Sequence, residues 1–273
     1  METVAPGVKA LTVAADREMA AVCGGKSLLV PSTGAWSAEA MELSILFEDN
    51  HLLVVDKPAG LLSQSAEAGD ENLVVAAQRY LKERYAKPGN VYVGLVHRLD
   101  RMTSGVVVLA KTSKAAERLS RAVREHRVDK RYLAVVAGLT PLGETLVDAL
   151  VSDEKGSRVV KDHPDAKRAE LRYQRLASTQ APIAASLLEI ELGTGRKHQI
   201  RVQLASRGHP LLGDRRYGLR EHDILIPRVA LHAQKIALTH PVRGDELAFV
   251  APIPKDFSAL MACLGLALKP AGP

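Results

Sequence analysis

The sequence has little cysteine, few aromatic residues and no long apolar run. Its only two cysteines, Cys23 and Cys263, are far apart and isolated. They match no zinc-ligand spacing and no disulfide framework, so we expect a reducing, cytoplasmic setting. Aromatic residues make up 4% of the chain, which disfavours a platform on which single-stranded bases stack. No apolar run approaches the roughly 20 residues that a membrane span requires, so we expect no membrane partner.

The sequence also lacks the patterns of a targeting segment and of a metal site. Its first residues include Glu2, Asp16 and Glu18 and no apolar block, so we expect neither a signal peptide nor a transit peptide. The nine histidines are scattered, and no pair of them shares a helical face with a carboxylate. A lone histidine is more often a structural hydrogen-bonding residue than a ligand. We therefore expect no metal and no organic cofactor.

Basic residues exceed acidic residues, and the formal net charge is +6. Two stretches concentrate this excess: Lys114–Arg131 and Lys155–Arg175 each contain seven lysines and arginines against three acids. Either stretch alone is typical of a solvated helix or loop surface. Two such stretches on one basic chain favour a nucleic-acid partner.

Hydrophobic periodicity predicts a chain that contains both strands and helices. We expect an α/β chain of the α+β type, with a central, mostly antiparallel mixed β-sheet and flanking helices. Residues 1–40 are expected to form a poorly defined N-terminal extension, 41–260 one main domain and 261–273 a C-terminal tail. We predict a hairpin over 43–57, helices over 71–85, 113–127 and 197–206, and a basic loop after Gly138. Strands are predicted over 91–96, 106–110, 131–137, 169–176, 186–192, 229–238 and 247–250.

The segment His97–Gly105 stands out because it places charged and hydroxyl side chains between two valine-rich runs. Burying such a turn is costly unless its charges are paired, so we expect it to face a cleft. Asp100 lies between Arg98 and Arg101, whose positive charges favour the ionised carboxylate. The residues alone support two interpretations equally: a nucleophilic carboxylate and an ion pair that stabilises a turn.

A second candidate is the glycine-rich stretch Gly193–Lys197, which precedes a predicted helix. Backbone N–H groups at a helix start can hold a phosphate, although neither the Walker spacing nor the dinucleotide fingerprint is present. A contact to a backbone phosphate and a purely structural turn are about equally supported here.

The motif His97-Arg98-Leu99-Asp100-x-x-Thr103-Ser104-Gly105 resembles the signature of the RluA-type pseudouridine synthases. Further motifs resemble those of the same family and occur in its order: Asp56-Lys57-Pro58-x-Gly60-Leu61, Lys130-Arg131-Tyr132-x-Ala134, Gly195–Val202, Gly208–Asp214, Leu231–Ala233 and His240-Pro241. One departure is Ser63-Gln64-Ser65, where relatives often have histidine or proline. No S4-type pattern is found before Leu43, so the resemblance is to the bare catalytic domain.

The resemblance implies that the chain isomerises specific uridines in ribosomal or transfer RNA to pseudouridine, without a cofactor and as a monomer. It implies that Asp100 is the nucleophile, that Tyr132 stacks on the target base, and that Arg201 pairs with Asp100. Arg98 would fill the gap left when the uridine flips out of its stack, as extrusion of a base requires. The remaining residues expected to bind substrate are Lys57, His97, Thr103, Ser104, Arg196, His198 and Gln199.

Two other functions stay open from the sequence. A non-catalytic RNA-binding or RNA-chaperone protein could share the fold, although the combination of Asp100, Tyr132 and Arg201 disfavours it. A hydrolase that cleaves a glycosidic bond normally needs a second carboxylate, and none is evident beside Asp100. The sequence does not separate attack of the carboxylate on the sugar from abstraction of a sugar proton.

Overall fold

The structure is a computed structural model that describes residues 42–65, 70–219 and 225–268. It also describes the backbone of three strands, β1 (Val8–Leu11), β2 (Met19–Cys23) and β3 (Lys26–Val30). These strands pair antiparallel in the order β1–β2–β3. The rest of the segment 1–40, which we expected to be an extension, lies outside the described residues.

The remaining elements, in chain order, are β4 (Ser44–Glu48), β5 (Leu52–Lys57), α1 (Leu73–Arg84), β6 (Gly94–Leu95), β7 (Ser104–Ala110), α2 (Ser113–Arg124), β8 (Asp129–Ala137), β9 (Gly143–Ser152), β10 (Ser157–Val160), β11 (Lys167–Thr179), β12 (Ala185–Leu192), α3 (Gln199–Ser206), β13 (Leu231–Thr239), β14 (Glu246–Val250) and α4 (Lys255–Cys263). The chain divides into two compact units. We name Ser37–Arg131 with His232–Pro252 the Asp100 unit. We name Met1–Trp36, Tyr132–Leu231 and Ile253–Pro273 the Arg201 unit.

The sheet of the Asp100 unit is built around β7, whose seven residues are all buried. On one edge β7 pairs antiparallel with β5, and β5 pairs antiparallel with β4. On the other edge β7 pairs in parallel with β13 near its start and antiparallel with β6 near its end. Strands covered on both faces are continuous apolar runs, and Val106–Ala110 is such a run.

Each of the two helices of the Asp100 unit begins at a side chain that caps its first turn. Asn72 accepts hydrogen bonds from the backbone N–H groups of Val74 and Val75 at the start of α1. Thr112 accepts one from the N–H of Ala115 at the start of α2. Such caps satisfy N–H groups that have no partner within the helix. Leu119 of α2 packs in one buried cluster with apolar residues of β5 and β7.

The Arg201 unit has its strands in the order β10–β9–β11–β12–β8. The pairs β10–β9, β9–β11 and β11–β12 are antiparallel. Helix α3 packs Val202 against Leu150 of β9 and Ala169 of β11. Helix α4 packs Phe257 and Leu260 into a separate buried cluster with residues of β8 and β12.

The strands of both units are mostly antiparallel, and they combine with four helices in the described residues. This confirms the expected α+β class with a mostly antiparallel mixed sheet. Within the described part of the chain, no helix has the length and apolar character that a membrane span needs.

The predicted strand over 91–96 is wrong for most of its length, since only Gly94 and Leu95 form β6. Val91 and Val93 are nevertheless almost fully buried. Burial of an irregular segment and burial of a strand give the same apolar run, so the run alone does not distinguish them.

The predicted basic loop after Gly138 is also wrong, because β9 and β10 form a hairpin there. Only Leu146 and Leu150 of β9 are fully buried, and Val147 is exposed. A strand with so few buried positions lacks the regular alternation by which strands are identified.

The expectation of two isolated cysteines is wrong as well, because Cys263 at the end of α4 is disulfide-bonded. The side chain of Cys23 lies outside the described residues. Whether two cysteines can bond depends on their distance in the folded chain, which their spacing in the sequence does not show. The cysteine content therefore gives no support to a reducing compartment.

Candidate active site

Asp100 lies in the tight turn that leads into β7. The N–H of Thr103 donates to the carbonyl oxygen of Asp100 at 3.0 Å, which closes a four-residue turn. Asp100 itself is half-buried, while Arg98 and Arg101 are exposed. The turn therefore places Asp100 at the boundary between core and solvent, between two arginines in the sequence.

The end of β5 and the loop that follows it hold the Asp100 turn through hydrogen bonds, most of them to backbone carbonyl groups. Lys57 is fully buried, and its Nζ donates to the carbonyls of Pro58, Leu61 and Arg101 at 2.8, 2.9 and 3.2 Å. The N–H of Gly60 donates to the Arg101 carbonyl at 2.8 Å. Arg101 returns a bond from Nε to the Gly60 carbonyl at 2.9 Å. The Asp56–Leu61 motif therefore supports the Asp100 turn.

Ser63 adds a further tether on the residue just before Asp100. Its Oγ donates to the Leu99 carbonyl at 2.8 Å and accepts from the Leu99 N–H at 3.1 Å. Both partners are buried, so a missing hydroxyl would leave two buried backbone groups unsatisfied. The departure from the family pattern at Ser63 thus has a defined role, which the sequence alone did not indicate.

His97 completes the hydrogen bonding of β7. Its Nε2 accepts a hydrogen bond from the N–H of Val108 at 3.0 Å. Val108 lies in β7 between the residues that pair with β13 and those that pair with β6. Burial, with a contribution from the positive charge of Lys130, lowers the pKa of His97 to about 4. The ring is therefore neutral at physiological pH, as an accepting Nε2 requires.

The two hydroxyl residues of the motif differ in their contacts. Ser104 Oγ lies 3.0 Å from Nδ1 of the fully buried His232. Thr103 is also buried, and the described residues offer its Oγ1 no hydrogen-bond partner. Gly105 has a φ of +120°, and a Cβ there would lie 2.2 Å from the carbonyl oxygen of Ala233. Only glycine fits this approach of β7 to β13.

In the Arg201 unit, Tyr132 lies on β8 and is 6% exposed. Arg201 lies on α3 and makes a bidentate ion pair with Asp214, with Nε–Oδ2 at 2.7 Å and Nη2–Oδ1 at 2.8 Å. Burial alone would raise the pKa of Asp214, but the guanidinium and the N–H groups of Arg216 and Tyr217 outweigh it and lower that pKa. The expected pairing of Arg201 with Asp100 stays a prediction.

The glycine-rich stretch before α3 is held mainly by Gln199. Its Oε1 accepts from the Thr194 hydroxyl at 2.7 Å and from the Arg196 N–H at 3.0 Å. Its Nε2 donates to the Glu170 carbonyl at 3.0 Å. Gln199 is buried, and these bonds satisfy its amide group. This favours the structural interpretation of the turn over a phosphate-binding one.

His198 and Arg196, two further residues expected to bind substrate, lie beside this turn. His198 has a φ of +54°, and its Nδ1 lies 2.9 Å from the hydroxyl of Tyr217. Arg196 is exposed, and its Nε donates to the Arg168 carbonyl at 3.0 Å. Both side chains thus contact other parts of the Arg201 unit.

The predicted site residues fall into two sets. The Asp100 unit contains Lys57, His97, Arg98, Asp100, Thr103 and Ser104, and the Arg201 unit contains Tyr132, Arg196, His198, Gln199 and Arg201. Among the described residues, no group of three or more histidines, cysteines, aspartates and glutamates is placed to hold a metal ion. The Asp100 unit supplies a turn-borne carboxylate of the kind that nucleophilic chemistry uses, and the Arg201 unit separately supplies the buried Tyr132 and the ion-paired Arg201.

Comparison with known proteins identifies the family. The family described as RNA pseudouridylate synthase matches residues 51–206, more than half of the chain. The chain belongs to this family. It is therefore an RNA pseudouridine synthase, and the resemblance to the RluA type is confirmed.

Individual relatives agree with this assignment. Ribosomal large subunit pseudouridine synthase D of Nitrosomonas europaea is 37% identical over 257 residues, covering 89% of this chain and 73% of that protein. The dual-specificity RNA pseudouridine synthase RluA of Haemophilus influenzae is 34% identical over 211 residues, covering 77% and 92%. The solved structure of human RNA pseudouridylate synthase domain containing 4 aligns with a TM-score of 0.69 and 26% identity, covering 82% and 94%.

Three residues that contact the predicted site were missed by sequence reasoning. Ser63 was noted only as a departure from the family pattern. Asp214 lies in the Gly208–Asp214 motif, to which the sequence assigns no role, and Tyr217 lies three residues beyond it. The last two follow the matched region, which ends at residue 206, although both of them contact Arg201.

Proposed function

We propose that this synthase converts specific uridines in structured RNA to pseudouridine, with Asp100 as the nucleophile. The observation that carries the proposal is the support of the Asp100 turn, in a chain of this family, by Lys57, Gly60 and Ser63. Holding a reacting group in one geometry removes much of the entropic cost of reaching the transition state.

The proposed reaction breaks the bond between C1′ and N1, turns the base, and joins C1′ to C5. C5 then loses its proton to solvent and N1 carries one, so the product is an isomer of uridine. A carboxylate can perform this chemistry by attacking the sugar or by abstracting a sugar proton. Either route ends with Asp100 unchanged, and neither calls for a metal or a cofactor. Proton loss from C5 gives the reaction its assay.

Three other residues are proposed to act on the flipped uridine. Tyr132, on a buried strand, would stack on the base and assist removal of the C5 proton. Arg201, held on α3, would pair with the Asp100 carboxylate. Arg98, which is exposed next to the turn, would occupy the gap left in the RNA, where a planar guanidinium can both stack and bond phosphate.

Ribosomal RNA is the substrate class that we favour. Several similar proteins are named for the large ribosomal subunit, including those of Nitrosomonas europaea and Pseudomonas aeruginosa. Transfer RNA is the alternative class, and the relative from Haemophilus influenzae is named as having dual specificity. Because these RNAs are cytoplasmic in bacteria, we propose a cytoplasmic enzyme, and we expect it to act as a monomer.

The test replaces Asp100 with asparagine and measures tritium release from RNA labelled at uridine C5. Asp100→Asn should abolish release and should keep RNA binding, because the substitution preserves shape and removes the carboxylate. Asp165→Asn, at an exposed loop position, is the matched control and should release tritium like the wild type.

Three results would contradict the proposal in different ways. Turnover by Asp100→Asn would exclude the nucleophile. RNA binding without tritium release by the wild type would favour the RNA-chaperone alternative. Release of free uracil would indicate the hydrolase. Mapping of pseudouridine in ribosomal and transfer RNA from a deletion strain and its parent would identify the substrate class.

A further inference from the structure

We infer that Asp214 and Tyr217 are positioning residues that hold the Arg201 guanidinium in its working orientation. The inference rests on the proposed function, because Arg201 is the group proposed to pair with the nucleophile. Asp214 belongs to the Gly208–Asp214 motif, and the proposed function assigns no role to any residue of that motif. Neither residue needs to touch the RNA or the reacting atoms.

The surroundings of Asp214 fix its carboxylate in the position that binds Arg201. Its side chain is fully buried, and that of Arg201 is 12% exposed. Besides the two bonds from Arg201, Oδ1 accepts from the N–H groups of Arg216 and Tyr217 at 3.0 and 3.2 Å. The carboxylate therefore has four donors, two that place it on its own loop and two that it uses to hold the guanidinium.

Tyr217 covers the face of the same guanidinium. The Cζ of Arg201 lies 5.1 Å from the centroid of the Tyr217 ring, within the range of a cation–π contact. The ring is fixed at its far end, where the hydroxyl accepts from the Ser157 N–H at 2.8 Å and lies 2.9 Å from His198 Nδ1. Burial raises the pKa of Tyr217, so the phenol stays protonated.

These contacts leave the guanidinium little freedom. The carboxylate of Asp214 fixes the plane of the group along its Nε–Nη2 edge, and Tyr217 fixes the position of that plane. An unrestrained arginine side chain loses rotamer entropy when it is ordered. Because Asp214 and Tyr217 already impose this order, Arg201 does not have to be ordered again at each turnover.

The same unit contains a second ion pair of similar geometry that serves as an internal control. Arg228 and Asp256 are also bidentate, with Nε–Oδ2 at 2.6 Å and Nη2–Oδ1 at 3.0 Å. Arg228 is 3% exposed. Asp256 is 22% exposed, and neither residue is assigned to the site, so Asp256→Asn reports what the loss of a partly buried ion pair does to the fold.

The test compares Asp214→Asn with Asp256→Asn in the full chain at a temperature where both variants are folded. Asp214→Asn should lower kcat for tritium release by about 10- to 100-fold, as expected for a displaced catalytic group, while KM for RNA changes little. Tyr217→Leu should lower kcat in the same way, and Tyr217→Phe, which keeps the ring, should lower it less. Asp256→Asn should keep the wild-type kcat.

A double-mutant cycle shows whether Asp214 acts through Arg201. In an Arg201→Ala background, Asp214→Asn should cause no further loss of kcat, because the effects of residues that act as a unit are not additive. An independent readout is the Nε–H signal of Arg201 in a ¹H–¹⁵N spectrum. It should be present in the wild type and in Asp256→Asn and absent in Asp214→Asn.

The inference is overturned if Asp214→Asn retains the wild-type kcat, if Asp256→Asn loses as much kcat, or if the Arg201 signal survives in Asp214→Asn. If the wild type itself forms no pseudouridine, the proposed function fails. The spectrum still reports on the positioning contact in that case, so the two failures are distinguishable.

Discussion

At the scale of single residues, several motif side chains serve the backbone of the Asp100 turn. Lys57 and Ser63 form hydrogen bonds with backbone carbonyl and N–H groups. His97 accepts a hydrogen bond from the N–H of Val108. The family motifs place Lys57 and His97 among the residues expected to bind substrate, and that expectation stays a prediction. Which groups a side chain meets depends on strands that are distant in sequence, and no local pattern encodes that.

The neutral state of His97 leads to a pH-dependent stability. Its pKa is about 4 in the folded chain and about 6.5 when unfolded, so the unfolded state binds more protons between these values. The stability from a neutral His97 is therefore complete above about pH 6.5 and declines as the pH falls toward 4. The free energy of unfolding should fall by about 2 kcal/mol between pH 7 and pH 5 from this group.

Urea denaturation of the wild type and of His97→Gln at these two pH values measures the effect. Glutamine can still accept from the Val108 N–H but does not titrate, so His97→Gln should lose most of the decline. His126→Asn, at an exposed position, should retain it. An equal decline in the wild type and in His97→Gln would refute the assignment.

At the scale of elements, the sequence predicted those whose signals are local. The hairpin of β4 and β5 turns at Asp49, whose Oδ1 accepts from the N–H groups of His51 and Leu52 at 2.7 Å. Helix α1 follows the cap residue Asn72. The missed helix α4 had a usable signal, because Phe257, Leu260 and Met261 recur at helical spacing after Pro254.

Elements and contacts that depend on residues distant in sequence could not be predicted from local patterns. The two-residue strand β6 depends on the end of β7, and the pairing of Arg201 with Asp214 joins a helix to a loop 13 positions later. Both depend on tertiary packing, which periodicity does not report. Family motifs, in contrast, indicated Asp100, Tyr132 and Arg201 without describing what holds them.

The contact between β7 and β13 should depend on the absence of a side chain at Gly105. In Gly105→Ala, the new Cβ would lie 2.2 Å from the Ala233 carbonyl oxygen and 2.7 Å from the Ala233 nitrogen. One strand must therefore shift, and we expect a loss of stability of at least about 2 to 3 kcal/mol, in the range of overpacking.

Gly89→Ala is the matched control for this substitution. Gly89 also has a positive φ, of +77°, and an added Cβ would meet nothing within 4 Å. It should therefore show only the backbone strain of about 1 kcal/mol. Thermal and urea unfolding give both values, and failure of Gly105→Ala alone to fold agrees with the expectation. Equal losses for the two variants would show that the close approach does not matter.

At the scale of the whole molecule, the two basic stretches carry the same formal excess of positive charge, but they differ in how many of their cations form ion pairs. In Lys114–Arg131, Arg121 and Arg127 pair with Glu117 and Glu125, and Arg118 donates to a backbone carbonyl. In Lys155–Arg175, Arg158, Lys161 and Arg172 are exposed on or beside β10 and β11. The second stretch therefore has more charge available for phosphate groups.

RNA binding should accordingly weaken steeply with salt, and the second stretch should account for more of that dependence. Each phosphate contact contributes about 0.7 to 0.9 to the slope of log K against log salt. Changing Arg158, Lys161 and Arg172 together to glutamine should reduce the slope by about 2 to 3. The same change at Arg118, Arg121 and Arg127 should reduce it by less than about 1. Filter binding or fluorescence anisotropy between about 50 and 200 mM salt measures both slopes. A flat response, or an equal reduction in the two triple variants, would exclude the β10–β11 surface as the main electrostatic contact.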